Sequence, residues 1–449
     1  MTDEQIAKVV NAPQCQFYVL RKKRLCRMTV RPGRQYCGEH EPKPTTEDGS
    51  VDNRIPCPND PKHTCYASKL EKHLKICNAR QVEQPPYIIP NINAPLEGDA
   101  GPRKPLAEVS REDLMQLIDK VNLLYEKYVQ DNIATFPEHP IHAAVQADFN
   151  ESNRTESSRR HLRQVSSLLW IVEEEGLAGD QTCYVELGAG KGRLSEYVAA
   201  AWRGARVLLV DRAALRHKRD GRLAARLAAR PAAAAAAAAA RRLRADLAHV
   251  ALRHAPLAAH ATRLVALAKH LCGAATDYAL RCVVNEDEEC EREAGGAGAG
   301  AGGAGGGGGG GDGGRRRGLV VAACCHHRAH RASYVARAHL AELGVNDADL
   351  DIMLGIVSWA TCGDGRSRDS RGGRRDDAHS NTNTQDSIEV KEQKLSQEWR
   401  ERVGRRTKAL LDWGRVLYLE EKGFDARLCY YVPTSVSLEN MCIIAKKVR

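Results

Sequence analysis

Apolar and polar positions alternate in two different rhythms along this chain. Behind Ser110, the residues Leu114, Leu117, Ile118, Val121, Leu124, Tyr125 and Tyr128 recur at three- and four-residue steps, the spacing of one amphipathic helix with a serine cap. The pattern is too short for a stable coiled coil, which favours packing on its own domain. A second helical stretch is expected from Ser158 to Glu175. Beyond it come short β-rich runs, CYVELGAG, ARVLLVDR, RLVALAKH, GLVVAACC, LCYYV and CIIAKK, with helical segments between them. Such alternation predicts an α/β fold built on a parallel sheet. The last two runs are joined by PTSVSLENM, too short for a crossover helix, so they are expected to pair as an antiparallel hairpin at the sheet edge.

The length of 449 residues implies two or three units. Six cysteines fall in the first 80 residues, followed by a Pro/Asn-rich stretch from Gln84 to Pro105. The expected division is a first cysteine module over 10–41, a second over 54–80, a linker over 81–109, a helical segment over 110–178 and an α/β domain over 179–449. Three low-complexity insertions interrupt that domain, near 220–242, 286–318 and 364–397. They hold nine alanines from Ala232 to Ala240, a glycine-rich run from about Gly295 to Gly314, and a polar run from Gly365 to about Gln393. The glycine and polar runs lack the apolar residues to offset the entropy of ordering and read as disordered loops. The alanine run reads as a helix extension, with its RRLR flank as a solvated face or, alternatively, an RNA contact.

A net charge of +10 and a pI near 8.9 favour a polyanionic partner. The N-terminus MTDEQIAKVV matches neither a signal nor a transit peptide, and no run of about 18 uncharged apolar residues occurs, so a soluble intracellular protein, cytoplasmic or nuclear, is expected. In that reducing setting fifteen cysteines point to metal ligands or buried thiols rather than disulfides. Cys15, Cys26, Cys37 and His40 offer three sulfurs and an imidazole in a basic segment too poor in apolar residues to fold unaided, which predicts a Cys3His zinc site. Cys57, His63, His73 and Cys77 form a second set. His73 and Cys77 lie four apart on a predicted helix and share one face, with Cys65 as a competing ligand or a buried thiol. Four protein ligands at each site make both structural, since a catalytic zinc keeps a position open.

The sharpest motif is VELGAGKGRLS, Val185 to Ser195, a strand running into a glycine turn and a helix. Gly188, Gly190 and Gly192 let backbone pass close to a ligand. Arg193 stands where a dinucleotide fingerprint needs its third glycine, and Gly190-Lys191-Gly192 does not make a P-loop. Glu186 suits a cationic amino group and would repel a pyrophosphate. Asp211 ends the second strand at the place where ribose hydroxyls are held in nucleotide-binding folds, and Asp246 follows a third strand where adenine would lie. Taken singly, either aspartate also reads as a turn or helix cap. AKHLCG (Ala268 to Gly273) and AACCHH (Ala322 to His327) end the fourth and fifth runs. Lys269 and His270 are candidates to orient or deprotonate a hydroxyl nucleophile. Cys324, Cys325, His326 and His327 are weighed as a metal site, as packing residues or as substrate-positioning residues. Against metal, adjacent side chains on a short turn diverge.

Taken together, the CCCH and CHHC modules, VELGAGKGRLS, LLVDR, KHLCG with TD following, CCHH, SWATCG and the hairpin ending make the chain resemble the eukaryotic tRNA ribose 2′-O-methyltransferases acting at nucleotide 4 of the acceptor stem. The resemblance spans nearly the whole architecture. It implies a Rossmann-like class I methyltransferase domain, S-adenosylmethionine (AdoMet) as cofactor, Zn2+ in two structural sites, a tRNA substrate and methylation of a ribose 2′-hydroxyl. The alanine run, the glycine-rich insertion and the arginine-rich stretch after Asp211 depart from the family's usual sequence and leave Asp246 less firmly placed than Asp211. Two competing readings are a non-catalytic zinc-finger RNA-binding scaffold, since CHHC fingers resemble modules of splicing proteins, and a methyltransferase acting on an RNA base.

Overall fold

A computed structural model describes residues 14–20, 23–37, 40–41, 53–77, 79–80, 84–95, 101, 103–179, 182–202, 204–213, 218–228, 239–259, 261–296, 316–362 and 396–447. Most of the alanine run, the glycine-rich run beyond Gly296 and the polar run from Gly365 lie outside these residues. The chain divides into two units, residues 1–84 and 85–449. None of the described helices is long and apolar enough to cross a membrane.

The first unit holds two small antiparallel pairs. Strands β1 (Tyr18–Val19) and β2 (Arg24–Leu25) form one, and β3 (Arg54–Cys57) and β4 (Asp60–Tyr66) form the other, followed by helix α1 (Leu70–Ile76). Among the described residues of the first module, Val30 is the only buried apolar residue besides cysteines, with Val19 and Tyr36 half-buried around it. A core of that size does not close by itself.

In the second unit, helix α2 (Arg111–Tyr128) starts where the sequence places it, with Ser110 Oγ accepting from the Asp113 amide at 3.0 Å. Leu117, Ile118, Val121 and Leu124 are buried along one stripe. Helix α3 (Glu156–Glu174) begins two residues before the expected Ser158, because Thr155 Oγ1 accepts from the Ser158 amide. Eight strands form one sheet: β5 (Ile133–Thr135), β6 (Cys183–Leu187), β7 (Arg206–Asp211), β8 (Ala240–Arg244), β9 (Arg263–Cys272), β10 (Arg316–Cys324), β11 (Asp425–Tyr430) and β12 (Met441–Lys447). Their order is β5-β11-β12-β10-β9-β6-β7-β8. Strands β6 to β10 are mutually parallel, and β12 runs antiparallel to both β10 and β11.

Side chains alternate between the faces, and both faces are covered. Val185, Leu187, Leu208, Leu264 and Val321 meet α2, α5 (Ala274–Gly296) and α6 (Gln397–Glu421). Tyr184, Val207, Leu209, Val265 and Val320 meet α3 and α4 (Arg193–Ala201).

Three elements differ from the sequence expectation. The β11–β12 hairpin forms, but it is not the sheet edge. The three-residue β5, from the segment read as purely helical, pairs parallel to β11 outside it; a strand this short leaves no readable alternation. The RRLR flank is β8, hydrogen-bonded to β7 with Leu209 opposite Arg242, rather than a helix face. Within the stretch read as a linker, residues 85–95 pack on the second unit. The Ile89 amide donates to the His249 carbonyl, and buried Asn93 Nδ2 donates to the carbonyls of Leu247 and Val250 at 2.7 and 2.8 Å. Scattered backbone bonds, a single bridge between Ile88 and Val250 and one asparagine amide hold the segment without making a strand, so no apolar period marks it.

A charged cluster is buried behind the sheet. Arg415 on α6 donates through Nε and Nη2 to Asp277 on α5, at 3.0 and 2.9 Å, and through Nη1 to Asp412 at 2.8 Å. His326 Nε2 lies 2.7 Å from Asp412 Oδ1. All four side chains are at most 3% exposed. Burial opposes ionisation of Asp412, but the His326 imidazole and the Arg415 guanidinium outweigh it and hold the carboxyl well below the usual carboxylate range. Arg415→Met removes the guanidinium from two buried carboxylates and leaves Asp412 with His326 alone of the cluster. It is expected to destabilise the second unit by about 3–5 kcal/mol in urea unfolding followed by tryptophan fluorescence, far more than the exposed-pair control Lys75→Met.

Candidate functional site: a glycine cradle and a lysine at the strand ends, with two metal-ligand clusters

Because β6 to β10 are parallel, their C-terminal ends share one edge. Sheet order reverses between β6 and β9, the position where crossovers leave on opposite sides and a crevice opens. Residues 188–192, Asp211, Asp246, Lys269 to Cys272 and Cys324 to Arg328 all fall at this edge or just beyond it.

The turn after β6 is held from both sides. Gly188, Gly190 and Gly192 have φ of 69°, 49° and 73°, a region that side chains with a β-carbon rarely adopt. At Gly190 a β-carbon would meet nothing within 4 Å, so the turn faces open space there. Asp211 Oδ2 accepts from the Gly190 amide and Oδ1 from the Ala213 amide, both at 2.7 Å. On the other side, Arg242 Nη1 donates to the Gly190 carbonyl at 3.1 Å while its guanidinium forks onto Asp220 at 2.8 Å. Arg242 escaped the sequence reading because its RRLR context looks like a charged surface.

Glu186 is buried at the foot of this turn, where Oε2 accepts from the Ser195 amide at 2.9 Å and from the Ser195 hydroxyl. Burial pushes its carboxyl up to about 7, against the Ser195 hydrogen bonds and the nearby Arg242 and Lys269. Asp246 lies two residues past β8. Its Oδ1 caps the Ala248 amide at 3.1 Å and its Oδ2 is 3.7 Å from Arg212 Nη1.

Lys269 lies near the end of β9, beside β6, within reach of the charges of Glu186 and Arg193. Burial, aided by the neighbouring Arg193 guanidinium, lowers its ammonium to about 8. Its Nζ donates to His161 Nδ1 at 3.2 Å. His270 adopts φ 63° and is the extra residue of a bulge, since Lys269 pairs with Ala322 but Leu271 with Ala323. Its Nε2 donates to Gln164 Oε1 at 3.0 Å, and burial next to Lys269 lowers it to about 3, so it stays neutral. His161 and Gln164 lie three apart on one face of α3. In the sequence their only mark is polarity within an amphipathic stripe. The CCHH run splits between the histidine and the cysteines, but the adjacent Cys324 and Cys325 converge where divergence was expected, because Cys325 is left-handed. His326 turns inward to Asp412, whereas Cys324 and Cys325 come near Cys272.

In the first unit, both predicted ligand sets converge. The donor atoms of Cys15, Cys26, Cys37 and His40 lie within 4.8 Å of one another, with 4.0 Å between the sulfurs of Cys26 and Cys37 and 3.4 Å from Cys37 Sγ to His40 Nδ1. Phe17 stacks on His40 with centroids 3.9 Å apart. Cys57, His63, His73 and Cys77 form the second group, with 3.7 Å between its sulfurs and 3.1 Å between its histidine Nε2 atoms. Tetrahedral coordination at about 2.3 Å places sulfurs roughly 3.8 Å apart, so both sets fit Zn2+. Cys65 is buried outside the group, opposite Ile55. Cys26→Ser is expected to open residues 14–41 to limited proteolysis while 53–80 stays resistant, and His73→Ala to do the reverse; cleavage sites mapped by mass spectrometry check both.

Comparison with known proteins bears on the same three regions. Residues 163–446 match the family model "Methyltransferase TRM13", 13–41 match "CCCH zinc finger in TRM13 protein" and 54–78 match "U11-48K-like CHHC zinc finger". A Homo sapiens relative named "tRNA:m(4)X modification enzyme TRM13 homolog" is 33% identical, covering 96% of this chain and 94% of its own length. The Mus musculus protein of the same name is 32% identical over the same shares. A Saccharomyces cerevisiae relative, "tRNA:m(4)X modification enzyme TRM13", is 26% identical over 98% of this chain and 97% of its own. With its glycine-turn and lysine edge inside the matched methyltransferase region and both cysteine modules inside matched zinc fingers, the chain belongs to the TRM13 methyltransferase family.

Proposed function

We propose that this protein transfers the methyl group of AdoMet to the ribose 2′-hydroxyl of nucleotide 4 in the acceptor stem of tRNA, in an intracellular compartment. The observation that carries the reading is a glycine cradle fastened by Asp211 at the same strand edge as a buried lysine whose proton affinity lies near neutrality. The sheet order, with β12 reversed between β10 and β11, supports reading the domain as a Rossmann-like class I methyltransferase. The relatives' names supply tRNA and position 4. Exposed Phe17, Tyr18, Leu25 and Met28 beside Arg24 and Arg27 give the first zinc module stacking and charged groups suited to RNA.

The residues present fit the cofactor. Glu186, with Oε2 taken by Ser195, offers Oε1 to the methionyl ammonium. Gly190 lets the backbone approach, Asp211 stands ready for the ribose hydroxyls and Asp246 for the adenine. When bound, AdoMet supplies an electrophilic methyl on a sulfonium. The protein's part is to align the hydroxyl oxygen with it, exclude water and accept the hydroxyl proton. Lys269 takes that role. With an affinity near 8, about a tenth of the molecules carry it unprotonated at pH 7. His161 and His270 stay neutral beside it, so Arg193 is the cation that presses on it. A hydroxyl nucleophile needs such a base, which favours ribose over a ring nitrogen with a free lone pair.

The test is incubation of full-length, zinc-loaded protein with total tRNA and methyl-labelled AdoMet, then nuclease digestion and identification of the labelled nucleoside. Label in a 2′-O-methylated, alkali-resistant dinucleotide from the acceptor stem is expected. Lys269→Met is expected to lower the rate at least about 100-fold with AdoMet binding retained. Because the base must be unprotonated, the wild-type rate should rise about tenfold per pH unit below about 8 and then level off. Label in a base, or full activity in the variant, overturns the reading.

A further inference from the structure

One group of thiols at the strand edge is used neither by the glycine cradle nor by the proton acceptor. Cys272 ends β9, Cys324 ends β10 and Cys325 follows it. Their three sulfurs lie within 4.8 Å of one another, with 3.4 Å between Cys272 and Cys324. That spacing falls close to the 4.0 and 3.7 Å between cysteine sulfurs of the two N-terminal zinc modules.

The backbone is shaped to bring them together. Adjacent residues of an extended strand point to opposite faces, so Cys324 and Cys325 would diverge. Instead Cys325 adopts a left-handed conformation, φ 48° and ψ 41°, which returns its thiol toward its neighbour. The bulge at His270 shifts the register so that Cys272 stands opposite Cys324. Gly273, at φ 59°, then passes so close to the Arg328 carbonyl that a β-carbon would collide with it. His270 and Cys325 are two of five non-glycine residues with positive φ among those described; one lies two residues before Cys272 and the other carries one of the three thiols. Strain of this kind persists where the surroundings fix a functional arrangement.

We propose that Cys272, Cys324 and Cys325 form a third metal site, for a thiophilic divalent cation of which Zn2+ is the natural fit, tying the ends of β9 and β10 together beside Lys269. Among the described residues the group has three members, and Cys272 is exposed, so the fourth position is open to water. On binding, each thiol releases its proton to solvent and no electron moves. His326 is not a ligand, because Asp412 holds it inward. The site works as a clamp. It fixes the bulge that carries Lys269, and it does not depend on which nucleotide is methylated.

The test is metal content. Full-length protein saturated with zinc and freed of loose metal by gel filtration is expected to carry three zinc ions per chain by plasma mass spectrometry, and Cys272→Ser and Cys325→Ser two each. Cys272 is exposed, so its serine variant disturbs little packing, and the wild-type count decides even where a variant fails to fold. Two ions in the wild type, or three retained in Cys272→Ser, overturns the proposal. A Cys272–Cys324 disulfide in the wild type, seen as a cross-linked peptide two mass units light, also overturns it.

Discussion

A guanidinium buried between two carboxylates is costly unless every charge is matched, and Arg415 meets that condition only in one arrangement of three separate segments. Asp277 lies near the start of α5, just after the KHLCG turn; Asp412 belongs to α6; His326 belongs to the turn after β10. Satisfying Arg415 therefore fixes the two strand ends that carry the lysine and the cysteines. A packing of apolar residues alone would tolerate sliding by a fraction of a turn; a fork of hydrogen bonds does not.

The same edge is constrained from the cofactor side. Parallel strands deliver all their C-terminal turns to one place, and the reversal of strand order at β6 and β9 leaves space between the turns. Asp211 and Arg242 then pull on the amide and the carbonyl of the same residue, Gly190, which sets the plane of the turn. Lys269 is depleted of water by burial and pressed by Arg193, so its proton is held loosely. The cradle and the base follow from one topology, which places them side by side without any long loop.

Much of this was legible in the sequence. The glycine turn, the acidic end of β7, the two four-ligand zinc modules and the antiparallel ending each depend on local spacing, and local spacing is what a sequence displays. What stayed hidden depends on pairing across the chain. Strand β5 is three residues long and has no period of its own. Arg242 looks like surface charge until β7 pairs with β8. Asn93 sits in a Pro/Asn stretch that reads as a linker, yet it is fully buried. Cys272 joins the CCHH run only through a bulge at His270 that no pattern in KHLCG announces.

On the proposed reading, the turn fastened by Asp211 holds the methyl donor. Calorimetric titration of AdoMet into the full-length protein tests it most directly, with Asp211→Ala measured beside the wild type and the fold of each checked by circular dichroism. One AdoMet per chain is expected in the wild type, with affinity falling at least about tenfold in the variant, the loss of a hydrogen bond to a charged group. No binding by the wild type, or equal affinity in a folded Asp211→Ala protein, would contradict it.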